Sequence, residues 1–451
     1  MPVNRRDFVC GCSAAIAALA GARFNSLVFG QPNPGDHPIL VNVFLRGGMD
    51  GLNFMMPTTN GDRGFYEAAR SSLQVPVGEA LALPGGFGLH PSADGLHGLF
   101  QDGRLALVHA CGLQTVQTRS HFDAMEYIEL GTPGAQSIST GWLTRHLNTT
   151  PGLPPQVVLP SVAIGSLEPT SLQGSSITAN IGDIDDFNLD QGPWDWRSAH
   201  RTSLRRLLGN GSTQTHVRAL DALDSADIIE LSVSGGYTPA NGAQYPNNSL
   251  GDAMKSVAQL VKLDLGLRVA TIDFGGWDTH NGQGNGSGGQ FSSLVGSLSD
   301  AMTALYTDLD GPGNPNDASR LTIVVQSEFG RRLFENDDDG TDHGYGNLMM
   351  VLGKEVNGGQ LYGTWPGLAS HQLFEGDDLM VTTDYRRVMS EILVRRFGNS
   401  AIDTVFPGYA DVYGVEGPLG IVQGADLPVT TSIFSDDFES GDVAAWSSST
   451  P

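Results

Sequence analysis

Five short blocks of the sequence hold residue types able to do chemistry. Arg46-Gly47-Gly48-Met49-Asp50-Gly51-Leu52-Asn53 sets a carboxylate in a glycine-rich turn, and Thr118-Arg119-Ser120-His121-Phe122-Asp123 sets a hydroxyl beside a guanidinium. Gly275-Gly276-Trp277-Asp278-Thr279-His280 places a carboxylate and an imidazole two residues apart. Ser327-Glu328-Phe329-Gly330-Arg331-Arg332 adds Glu328, and Gly340-Thr341-Asp342-His343-Gly344 adds a second carboxylate–imidazole pair. Such pairs can converge on one cation where the backbone stays extended, so Asp50, Asp278, His280, Asp342 and His343 are the candidate metal ligands. Each has a plainer alternative. Aspartate is common in glycine-rich turns because its side chain bonds its own backbone, and Asp278 and His280 can equally solvate a turn.

Ser120 also reads in two ways. Ser-x-x-Asp (Ser120, Asp123) ahead of Met125, Tyr127, Ile128 and Leu130 is a capping pattern for a helix start. A helix start also attracts anions, and an adjacent metal would lower the hydroxyl pKa enough to make a nucleophile. The two roles are compatible. In that scheme Arg119 or Arg46 holds an oxyanion on the substrate, and Glu328 serves as outer ligand or base.

Other chemistries lack their residues. No Gly-x-Ser-x-Gly elbow follows a predicted strand, and neither a P-loop nor a dinucleotide fingerprint is present. Ser120-His121-Phe122-Asp123 does not supply the Cys/Ser-x-Pro-x-Arg that formylglycine sulfatases need. Three cysteines are too few for iron–sulfur chemistry. The run Glu335-Asn336-Asp337-Asp338-Asp339 suggests a calcium loop, but Gly346 stands where a bidentate glutamate belongs, so it reads as a solvated loop.

The elements that must position these blocks are short apolar runs alternating with helical patterns. Ile39–Leu45, Leu105–His109, Val157–Ile164, Leu267–Phe274, Leu321–Gln326 and Leu348–Leu352 are continuously apolar, as strands covered on both faces are. Ser203–Leu208, Val217–Leu231, Leu250–Leu263, Phe291–Leu309 and Asp384–Phe397 carry apolar residues three and four apart. Strand–helix alternation predicts an α/β fold with a doubly wound, mostly parallel sheet and helices on both faces. Ligands in such sheets bind beyond the carboxyl ends of the strands, where the blocks fall.

The ends of the chain read differently. Arg5-Arg6 ahead of the small apolar run Val9 to Ala22 resembles a twin-arginine export signal over residues 1–22, too short to span a bilayer. Residues 23–38 read as a linker, 39–415 as one domain with a helical insertion over 165–266, and 416–451 as a tail with six acids and no Lys or Arg. The expected localisation is periplasmic or secreted, with the twin-arginine translocase as partner during export and no membrane span in the mature chain. Removing residues 1–22 leaves Cys111 as the sole cysteine, unable to form an internal disulfide. A net charge of −24 argues against nucleic acid, which is bound through clustered Lys and Arg.

In these blocks, with Thr382-Thr383-Asp384-Tyr385-Arg386, the sequence resembles an exported bacterial family known as domain of unknown function 1501. The resemblance covers nearly the whole chain beyond the export signal. That family in turn resembles, more distantly, the alkaline phosphatase and sulfatase superfamily. The kinship implies an alkaline phosphatase-like sheet with one or two metals at its carboxyl edge and a hydroxyl nucleophile at a helix start. Asp50 would match its first carboxylate ligand and Ser120 its nucleophile. Asp278 with His280, and Asp342 with His343, would match its metal pairs. Tyr345 stands where the family carries histidine, and the only later histidine, His371, sits in no such block. A divalent metal is expected (Zn, Mn, Mg or Ca), with fewer histidines favouring the harder cations. The expectation is a metal-dependent hydrolase of phosphate or sulfate esters, acting on a small-molecule or polymer substrate. The alternative is a non-catalytic exported surface or binding protein that keeps the fold.

Overall fold

The continuous apolar run Ile39–Leu45 forms strand β1, buried at every residue. A computed structural model of the chain describes residues 37–429 apart from 153–158, 166, 183, 185–196, 287, 312–316 and most of 214–235. The expected export segment, nearly all of the linker and residues 430–451 of the tail lie outside the described residues, as does much of the expected helix Val217–Leu231. After β1 come β2 Leu105–Gly112, β3 Ser161–Ile164, β4 Thr178–Ile181, β5 Val269–Phe274, β6 Leu321–Ser327, β7 Asn347–Leu352, β8 Leu361–Tyr362 and β9 Thr383–Asp384. They form one sheet in the order β8-β2-β7-β6-β1-β5-β3-β4, with β9 beside β2.

The sheet is mixed but mostly parallel. Only β7 runs against its neighbours, β2 and β6. Its apolar run is indistinguishable in sequence from those of the parallel strands. Direction was decided by the connection. The chain leaves β6 at the carboxyl edge, makes the antiparallel pair Arg331–Glu335 with Thr341–His343, and re-enters the sheet from that edge. A parallel return would need a crossover, usually helical, to the other edge. The acidic run expected to be a solvated loop is the turn of this hairpin.

Helices cover both faces. Odd residues of β1 (Val41, Val43, Leu45) pack with α1 Asp94–Gln101, α4 Ser249–Leu263 and α5 Gln290–Leu309. Even residues (Leu40, Phe44) pack with α2 His121–Leu130, α3 Trp142–Thr149 and α6 Tyr385–Phe397. Successive side chains of a strand point to opposite faces, so one seven-residue strand joins both cores.

Two expected boundaries shift. Within 165–266, β4 extends the sheet edge and α4 packs into the core, so the span is not only an insertion over the sheet. The packed body also runs past residue 415, since Ile421 and Val422 are fully buried and Glu391 accepts from the amides of Leu419, Gly420 and Val422. Among the described residues no helix is long and apolar enough to cross a membrane.

Candidate metal centre

Parallel pairing sets Leu45 level with both Ser327 and Phe274, so Arg46, Glu328 and Gly275 leave the sheet side by side. The turn after β1 must then pass very close to the segment after β5. Gly47 makes this possible, with φ +123° and its amide donating to Glu328 Oε1 at 2.8 Å. A Cβ there would lie 2.4 Å from the Asp278 amide nitrogen. Gly340 meets the same demand in the hairpin, where a Cβ would lie 2.1 Å from the His280 carbonyl oxygen.

Three imidazoles converge on one carboxylate oxygen at this edge. Asp278 Oδ1 lies 3.1 Å from His343 Nε2, 3.1 Å from His280 Nε2 and 3.5 Å from His121 Nε2. His280 Nε2 and His343 Nε2 are 2.8 Å apart. Ligand atoms of His121, Asp278 and His343 all fall within 4.8 Å of one another, a group of the kind that can hold a metal ion. Two donors about 2.0–2.1 Å from a tetrahedral ion stand about 3.3 Å apart. The observed separations bracket that value.

The far side of each ring fixes its tautomer. His121 Nδ1 lies 2.6 Å from Glu328 Oε1, His343 Nδ1 2.8 Å from the Arg119 carbonyl oxygen, and His280 Nδ1 3.2 Å from Asp342 Oδ1. Carbonyls and carboxylates only accept, so all three Nδ1 atoms donate. In the neutral rings every Nε2 then presents a lone pair to the others and to Asp278. His121 Nε2 is buried with no hydrogen-bond partner. Lone pairs and a carboxylate this close repel unless a positive centre lies among them. Metal-binding histidines commonly show this pattern, with the outer N–H held by a carboxylate or carbonyl.

The electrostatics reflect the same crowding. Burial would raise the Asp278 carboxyl, but the hydrogen bond from Arg331 and its charge hold it at about 2. Arg331 Nη2 donates to Asp278 Oδ1 at 2.6 Å. Its other bonds go to the carbonyls of Gly47, Gly48, Trp277 and Thr341, tying three of the blocks together. The hydrogen bond to Glu328 raises His121, whereas burial lowers His343.

The expected site residues divide into four groups. Asp278, His280 and His343 meet face to face. Glu328 and Asp342 stand behind the rings: Glu328 behind His121, and Asp342, half-exposed, behind His280 while also accepting from Asn336. Asp50, Arg46 and Arg119 point to other partners. Asp50 is fully buried, with Oδ2 accepting from Arg70 and Gln283, each at 2.6 Å, and Oδ1 from the Asn53 amide. Its place as a cation ligand is taken by this ion pair. Arg46 makes a bidentate pair with Glu129 and a further one with Asp273, and Arg119 pairs with Glu375 and buried Asp378. Neither guanidinium points at the cluster as an oxyanion holder would. Ser120 caps α2 as its spacing predicts, its Oγ accepting from the Asp123 amide at 3.4 Å.

His121 is the residue sequence reading passed over. It sits in the Ser120 block, but there the capping serine drew the chemistry. Its place after β2 at the carboxyl edge was the available signal. With it the group that could hold an ion, His121, Asp278 and His343, offers two nitrogens and one oxygen, and His280 Nε2 lies beside it at 2.8 Å from His343 Nε2.

Residues 235–404 match the family described as Protein of unknown function (DUF1501). That span carries Asp278, His280, Glu328, Asp342 and His343, whereas Ser120 and His121 lie before it. No curated protein sequence matches the chain.

Proposed function

We propose that the chain is an exported, metal-dependent hydrolase of phosphate or sulfate esters, with an alkaline phosphatase-like arrangement of sheet and site. The observation that carries this reading is the convergence of three Nε2 atoms on Asp278 Oδ1, each ring held by its Nδ1–H. His121, His280, His343 and Asp278 would hold the ion. Three imidazoles and one carboxylate suit zinc better than magnesium or calcium, which prefer oxygen. A divalent cation there supplies Lewis acidity, lowering the pKa of a nearby hydroxyl and neutralising charge on an ester oxygen.

The chain's own residues supply the rest. Ser120 stands next to His121 at the start of α2, where backbone amides face an incoming anion. Its hydroxyl is the proposed nucleophile. Glu328 and Asp342 orient His121 and His280, and Arg331 holds Asp278 in place. Asp278 and His280 are partly open to solvent, so a substrate can reach this edge. Export is read from Arg5-Arg6 and the small apolar run behind them.

A second reading is a non-catalytic exported protein that keeps the fold around one structural cation. It is favoured by the pairing of Arg46 and Arg119 with carboxylates, which leaves neither directed at an anionic ester. Metal analysis of the purified protein, then a panel of aryl phosphates and sulfates, decides between them. The hydrolase reading expects bound zinc and turnover that Ser120→Ala removes. Unchanged turnover in that variant rules out Ser120 as nucleophile. Stoichiometric metal with no turnover supports the second reading, and no metal affinity refutes both assignments of the cluster.

A further inference from the structure

Two loops supply three of the four converging residues, Asp278 and His280 after β5 and His343 from the hairpin after β6, while His121 opens α2. Between these loops lies one buried amide. Gln283 Oε1 accepts from Thr279 Oγ1 at 2.8 Å and from Thr341 Oγ1 at 2.9 Å. Thr279 stands between Asp278 and His280, and Thr341 lies two residues before His343. Behind it, Gln283 Nε2 donates to Asp50 Oδ2 at 2.6 Å, and that carboxylate is held by Arg70. Asp50, Arg70, Gln283 and Thr341 are fully buried, and Thr279 nearly so.

The orientation of the amide is forced. Asp50, paired with Arg70 through the same Oδ2, accepts there, so the Gln283 NH₂ must face it and its carbonyl must face the two threonines. The one carbonyl therefore accepts a hydrogen bond from each loop. The Thr341 amide also donates to the Thr279 carbonyl at 3.2 Å, so backbone and side chain fix the same spacing. None of these hydrogen bonds is made to an imidazole of the centre.

We propose that Gln283, through Thr279 and Thr341, is the positioning residue that sets the distance between the two loops that carry Asp278, His280 and His343. Asp50 and Arg70 fix Gln283 in turn. This inference rests on the metal reading of the cluster and adds to it the element that pre-organises the ligands. A metal site must be held to within a few tenths of an ångström, and loss of an outer partner typically lowers affinity about 10–100-fold.

The test is titration of the metal-free protein with Zn²⁺ and with Co²⁺ alone, by calorimetry and by the visible bands of cobalt. Gln283→Met keeps length and removes both hydrogen-bonding ends. Thr279→Val and Thr341→Val keep shape and remove one hydroxyl each, while Thr279→Ser and Thr341→Ser keep the hydroxyl. Far-ultraviolet dichroism and a melting curve establish that each variant is folded, and Ile392→Val in the opposite core controls for general destabilisation. The expected result is affinity about 10–100-fold weaker in Gln283→Met, with altered cobalt bands. Weaker binding is likewise expected in the valine variants, and near-original binding in the serine variants and the control. Wild-type affinity in folded Gln283→Met overturns the positioning role and leaves the metal reading standing. Should Gln283→Met fail to fold, unchanged affinity in both valine variants overturns it equally. A wild-type chain that binds neither ion overturns the metal reading and this inference with it.

Discussion

Replacing Glu328 by glutamine removes one charge from behind the candidate centre and little else. The carboxylate is buried; Oε1 accepts from the Gly47 amide at 2.8 Å and from His121 Nδ1 at 2.6 Å, and Oε2 from Ser327 Oγ at 2.9 Å. An amide oxygen can take the first two bonds. The amide NH₂ then faces Ser327 Oγ, whose proton can go instead to the Leu45 carbonyl at 2.6 Å. The variant should therefore fold with its hydrogen bonds made. Bonds to a charged group contribute about 1.5–3 kcal/mol against about 0.5–1.5 for neutral ones, so metal-free stability should fall by about 1–2 kcal/mol. Metal affinity should fall about 10–100-fold, equivalent to about 1.4–2.7 kcal/mol, because His121 loses the carboxylate that orients it. Equilibrium unfolding in chelator and calorimetric zinc titration measure the two quantities separately. A folded variant that binds zinc as tightly as the original would refute the role given to Glu328 and the choice of His121 as ligand.

Two predictions concern the supporting structure. Asp50→Ala leaves Arg70 buried and unpaired and should cost about 3–5 kcal/mol in denaturant unfolding, a loss that added metal does not restore. A cost under about 1 kcal/mol would mean that the pair is dispensable. Burial pushes His146 down to about 3, with Arg268 adding to the effect. The unfolded chain therefore takes up this proton first, and the stability His146 contributes is present above about pH 6.5 and is lost as the pH falls towards 3. At pH 5 that loss is about 2 kcal/mol. His146→Gln should flatten the dependence of unfolding stability on pH over this window, and an unchanged slope would exclude His146 as its source.

The sequence by itself determined the longer strands of the central sheet and most of its helices. Burial writes itself into composition, and β1, β2, β5, β6 and β7 are legible as largely apolar runs. The cap at Ser120 was legible because capping is local, settled within four residues. Short edge strands such as Leu361–Tyr362 left no pattern, since two residues show no periodicity. The sequence also marked which loops hold polar chemistry at the carboxyl edge. It could not say which way each side chain turns. Asp50 and Asp278 both follow a strand and a pair of glycines, yet the first faces Arg70 in the interior and the second faces three imidazoles. That choice belongs to partners distant in the chain: Arg70 and Gln283 for one, Arg331, His121 and His343 for the other. The antiparallel return of β7, which carries His343 to the edge, is likewise a property of the connection and not of the strand. Local pattern therefore determined the elements and their caps. Only the tertiary structure decided which donors share a centre, because convergence depends on distances between segments whose separation in sequence says nothing of their separation in space.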